Sequence, residues 1–164
     1  MKSGLTIRSD NAAAVLASLK AIASKDVLVG IPEEKSERDD VPFGNAGIGY
    51  INENGSPAQN IPARPHLVPG VRSVDEQTLP HLRAAAQAAM SGNTAAAEME
   101  LNRAGALAAN GVKRYMIITG FTPLADRTIN ARLARGRTGD KPLIDTGQYR
   151  RAITYVVRDK NADS

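Results

Sequence analysis

Pro62, Pro65 and Pro69 crowd into one passage, Ile61-Pro62-Ala63-Arg64-Pro65-His66-Leu67-Val68-Pro69, and they restrict the backbone here more tightly than anywhere else in the chain. Each proline fixes its own φ and biases the preceding residue away from the helix, so the passage reads as extended and rigid. It follows Asn54-Gly55, a turn signal that closes a short apolar patch of Ile48, Tyr50 and Ile51, and the polar stretch from Ser56 to Asn60 does not continue a regular element. Arg64 is held between Pro62 and Pro65, a support that suits a bidentate carboxylate contact. Glu53 or an acid on a partner is the expected acceptor.

The rest of the chain reads as helices between two strands. Val15, Leu16, Leu19 and Ile22 have amphipathic spacing over residues 10–25, with Ser9 or Asp10 as N-cap. Val27 to Ile31 is a short β-branched run ended by Pro32, which predicts a buried strand. Charged residues without periodicity follow, and residues 33–47 are expected to be a mobile loop. Ser73 and Glu76 have capping-box spacing before a helix over 74–90, with Leu79, Leu82 and Ala86 inward. A second long helix is expected over 94–118, with Leu101, Leu107 or Ala108, Val112 and Tyr115 or Met116 on one stripe and Gly120 as C-cap. Gly105 and Gly111 each weaken it by about 1 kcal/mol relative to alanine, but they permit close helix approach.

A shorter segment, 124–133, places Ile129 and Leu133 inward and Arg127, Arg132 and Arg135 outward; residues 134–141 read as a flexible tract. Asp145-Thr146-Gly147 reads as a turn that launches a strand over 153–157, and the tail 158–164 as frayed. The expected fold is α+β: a small antiparallel sheet packed against an N-terminal helix and two longer central helices, with long mobile loops, in a single domain spanning 1–164. Because two strands alone are marginal, a third is expected from residues 5–8, from residues 48–52 or from a neighbouring subunit.

Composition narrows the function. The chain has no cysteine, which excludes disulfides and thiolate metal sites. It has no tryptophan and only 4% aromatic residues, so its alanine-rich core is thin and gains from neighbours in an assembly. No apolar run is long enough to span a membrane and residues 1–5 lack a signal-peptide core, so the chain is expected to be soluble and made in the cytoplasm.

Catalysis finds little support. His66 and His81 lack zinc-site spacing, and no phosphate-binding loop is present. Asp145-Thr146-Gly147 has the letters of the aspartic-protease tripeptide, but that chemistry needs two carboxylates sharing a proton, and Arg150 and Arg151 place positive charge where a raised pKa is required. Asp145 and Gly147 are therefore read as structural, and no metal or cofactor is expected. Arg127, Arg132, Arg135 and Arg137, joined by Arg150 and Arg151, supply a basic face for DNA phosphates or an acidic neighbour; at a formal charge of +4 it falls short of a dedicated nucleic-acid binder.

Three motifs in order carry a resemblance. They are Asn52-Glu53-Asn54-Gly55 with Ile61-Pro62-Ala63-Arg64-Pro65-His66-Leu67; Thr122-Pro123-Leu124 with Thr128-Ile129 and Arg132; and Lys141-Pro142-Leu143-Ile144-Asp145-Thr146-Gly147-Gln148. Over residues 27–157 the chain resembles the neck and tail-completion proteins of tailed bacteriophages, with His66 where an aromatic is expected. The resemblance implies a non-enzymatic virion component. Such a subunit joins copies of itself in a ring, a hexamer, between the head connector and the tail terminator or tail tube, with DNA passing through the lumen. A tail terminator capping the tube is the nearest alternative, and a basic nucleic-acid-binding module is a more distant one.

Overall fold

The structure, a computed structural model, describes residues 11–40 and 42–160. In chain order the elements are α1 (Ala12–Ala23), β1 (Lys25–Gly30), α2 (Gly44–Asn54), α3 (Leu67–Arg72), α4 (Asp75–Met90), α5 (Thr94–Ile118), α6 (Asp126–Leu133), α7 (Gln148–Ala152) and β2 (Thr154–Asp159). The architecture is α+β, with β1 and β2 forming a two-stranded antiparallel sheet.

The long central helix α5 is the spine. One side meets α4 and another meets α3, while the sheet lies against a third. Asn93 caps it, accepting the Ala96 N–H on its side-chain oxygen at 3.0 Å. The α4–α5 hairpin closes through Gly92 at φ +77, and the N–H groups of Gly92 and Asn93 bond back to the carbonyls of Ala89 and Ala88, the Schellman pattern that ends a helix at a left-handed glycine. Ala85 and Ala89 of α4 are buried, as are Ala97, Leu101, Ala104 and Ala108 of α5. At the far end Val112, Met116, Tyr149 and Ile153 form the main core, flanked by Val29, Ile31, Ile48, Leu67, Val71 and Leu143.

Several expectations are corrected. Leu79 and Leu82 remain 45% and 39% exposed, and α4 instead turns Thr78, Ala85 and Ala89 inward, because small side chains let the two helix axes approach. Ser73 and Glu76 form no capping box: the Ser73 hydroxyl donates to the Gly70 carbonyl at the end of α3, and Val74 is the N-cap of α4. The proline passage is extended only to His66. Pro69 falls within the first turn of α3, where its missing N–H would have no intrahelical partner anyway. Thr119 rather than Gly120 is the C-cap of α5.

Residues 33–47 are not one open loop. Glu33–Lys35 is a 3-10 turn, α2 starts at Gly44, and Asn45 is buried, its side-chain amide donating to the Lys35 carbonyl while Arg38 donates to its oxygen. The chain also enters β2 through α7 rather than directly, and the strand continues to Asp159, so residues 158 and 159 are paired and not frayed. Among the described residues there is no third strand: residues 48–52 are helical, and residues 5–8 lie outside the described residues, as do Ser9 and Asp10.

Candidate functional site

The residues singled out in the sequence gather around the start of α3. Gly55, at φ +77, ends α2 where a Cβ would come within 2.8 Å of the Ala63 nitrogen, so the turn needs glycine. The returning strand is pinned by reciprocal bonds between Ser56 and Ile61 and by the Arg64 N–H donating to the Asn52 carbonyl. This delivers the N-terminus of α3 to Glu53. The carboxylate accepts the backbone N–H groups of His66 at 2.7 Å, Leu67 at 2.9 Å and Val68 at 3.4 Å. Those are donors a helix start otherwise leaves unpartnered.

Glu53 is thereby engaged, and the expected Arg64–Glu53 pair does not form. Arg64 is buried and reaches the opposite way, donating Nε to the Thr122 carbonyl at 2.8 Å and Nη2 to the Pro123 carbonyl at 2.9 Å. Burial lowers its pKa from the ordinary arginine value. Pro65 is exposed beside it.

His66 is fully buried. Its Nδ1 lies 2.8 Å from the Arg64 carbonyl, which can only accept, so Nδ1 carries the proton and Nε2 accepts the Tyr149 hydroxyl. Burial lowers the His66 pKa; the Arg64 carbonyl and the Glu53 carboxylate, 3.1 Å from Nδ1, pull in the opposite sense and are outweighed by the desolvation of a fully buried ring. Burial, and secondarily the charge of Glu53, raises the pKa of the Tyr149 hydroxyl. With the folded pKa depressed, His66 supports stability above its unfolded value of about 6.5 and withdraws that support as the pH falls toward the folded pKa. The His66 ring protons should accordingly titrate in NMR only below pH 6.5, and urea stability should decline from pH 6.5 downward until that titration is complete; a midpoint at or above 6.5 in the folded protein would contradict this neutral, buried imidazole.

A second strut lies nearby. Arg132 is buried rather than outward, and its Nη1 donates to the carbonyls of Gly139, Lys141 and Ile144 at 2.9, 3.1 and 3.0 Å. The tract 134–141 is thus tied to α6. Asp145 takes Arg137 at 2.6 Å and faces Arg132 Nε at 3.7 Å. Gly147 has the positive φ expected of it, +77, and Thr146 Oγ accepts the Gln148 N–H at the start of α7.

The arginines do not make one basic face. Arg132 is internal, Arg137 is paired, and Arg127 donates to the Gln59 carbonyl, while Arg135 and Arg151 are exposed. Arg150 is half-buried, with its Nε unpartnered among the described residues. Arg64→Ala and Arg132→Ala should each cost about 3 kcal/mol, since each removes a buried guanidinium together with its charge-assisted bonds to two or more carbonyls, whereas Arg127→Ala and Arg135→Ala should stay within about 0.5 kcal/mol. Urea unfolding of the four variants checks this ordering.

His66 and Tyr149 were not predicted as partners; the position of His66 inside the proline passage was the available signal. Among the described residues no group of three His, Asp or Glu could hold a metal. Set against models of known protein families, curated proteins and solved structures, the chain matches none.

Proposed function

We propose that this chain is a structural subunit of a tailed-bacteriophage neck, a ring-forming tail-completion adaptor that joins the head connector to the tail. One observation carries the reading beyond the motif resemblance: the three motifs are wired to one another as internal struts. Arg64 of the first bonds the Thr122 and Pro123 carbonyls of the second, His66 of the first bonds Tyr149 just beyond the third, and Arg132 of the second bonds the Lys141 and Ile144 carbonyls of the third. Residues used this way build a shape. Their polar atoms are spent on partners within the chain, which suits a subunit whose task is to present surfaces to copies of itself, to the connector and to the tail. The interruption of the arginine tract argues against a dedicated nucleic-acid module and leaves DNA contact in the lumen non-specific.

The test is disruption of the gene in the phage that encodes it, followed by electron microscopy of the lysate. Filled heads and full-length tails that fail to join support the adaptor reading. Tails of irregular length would support the tail-terminator alternative instead, and normally joined particles would overturn both.

A further inference from the structure

The sheet has two unpaired edges. The Lys160 N–H bonds the Ser24 carbonyl, one step beyond the Lys25↔Asp159 pair, and this fixes the alternation of the ladder: residues 26, 28 and 30 bond 158, 156 and 154. The backbone groups of Val27 and Val29 therefore point off one edge, and those of Tyr155 and Val157 off the other; among the described residues none has a hydrogen-bond partner. An open cleft flanks the second edge, between residues 155–157 and Glu98 and Asn102 of α5. Neither strand carries a proline or a bulge, and six consecutive residues pair without interruption. Outward, Leu28 and Val156 are 42% and 37% exposed.

The charges select the occupant. Within one copy, Lys25 lies opposite Asp159 and Asp26 opposite Arg158. Placing the free edge of β2 from a second copy against the free edge of β1 in the same antiparallel register repeats both opposite-charge pairs and sets Leu28 against the second copy's Val156. It also brings the outward-pointing residues 27 and 157 into hydrogen-bonding positions. Two-fold pairings do worse: β1 against β1 centred on Val27 puts Asp26 opposite Leu28, and β2 against β2 centred on Val157 puts Arg158 opposite Val156.

From this geometry we propose that copies of the chain associate through head-to-tail β1–β2 strand pairing, which continues the sheet from one subunit into the next. The inference rests on the ring reading above and gives it a contact. Because β1 of one copy meets β2 of another, the contact is heterologous, the kind that builds a ring when the rotation between neighbours closes.

The absence of native cysteine allows a direct test. Leu28→Cys and Val156→Cys are made in separate chains, mixed across a concentration series and oxidised mildly. The proposed register places these residues as a non-hydrogen-bonded pair, the closer of the two cross-strand spacings. The mixed heterodimer should exceed either homodimer by about tenfold, on the scale by which matched cross-strand neighbours at positions 25, 26 and 28 are favoured over the mismatched two-fold registers. Predominant homodimers, or no cross-link at the highest concentration, would overturn the proposal. A Leu79→Cys chain, with its new thiol exposed on α4, replaces one partner as the background control. Cross-linking in this register without the head-to-tail defect on gene disruption would leave the strand pairing standing and remove the neck reading; the reverse combination would remove the pairing alone.

Discussion

Replacing Glu53 with alanine is expected to destabilise the protein by about 3 kcal/mol, the scale of a charged acceptor lost from three donors at a partly buried helix start. The carboxylate accepts the N–H groups of His66, Leu67 and Val68 at once. The effect propagates, because Leu67 and Val71 of α3 flank the main core. Glu53→Gln keeps an acceptor but loses the charge and should cost about half as much. Urea denaturation of the three proteins measures this; an alanine variant within about 0.5 kcal/mol of the parent would mean that water caps α3 equally well.

Gly70→Val should have an effect at least as large. A Cβ at residue 70 would lie 2.6 Å from the Val112 Cα, and the facing Gly111 would bring its own Cβ within 2.9 Å of the Gly70 carbonyl. Backbone meets backbone here, so no side-chain rotation relieves the clash, and α3 must lift from α5. Overpacking of this kind costs about 3 kcal/mol or more. Gly70→Ala is the sharper test of sign, since alanine gains about 1 kcal/mol of helix propensity and should still lower the unfolding midpoint. Gly120→Ala, with nothing within 4 Å of the new methyl, should be nearly neutral. A Gly70→Val protein as stable as its parent would contradict the α3–α5 crossing.

What could be read from the sequence follows the range of the interaction responsible. α5 was legible because it is long and periodic, and the small antiparallel sheet because two β-branched runs stand at opposite ends of the chain. Gly147 was legible because a turn between Asp145 and α7 needs positive φ. The inner face of α4 was misread: periodicity points to its leucines, whereas close approach to α5 selects its alanines. The ordering of residues 33–47 and 134–141 was invisible, since Asn45, Arg38 and Arg132 secure them by bonds to carbonyls and amides that no local pattern announces. Arg64 was rightly taken as a fixed guanidinium, but its acceptors lie almost sixty residues away in the chain at Thr122 and Pro123, beyond the reach of spacing arguments. Glu53, assigned to that arginine, was drawn to a helix start that the prolines seemed to forbid.

The most direct test of the proposed role is to locate the chain in the particle. Cryo-electron microscopy of purified virions, with the subunit fitted into the density of the head–tail junction, should show a closed ring of copies between connector and tail, each sheet continuing into the next. Virions lacking the chain altogether, or carrying it at any site other than that junction, would contradict it.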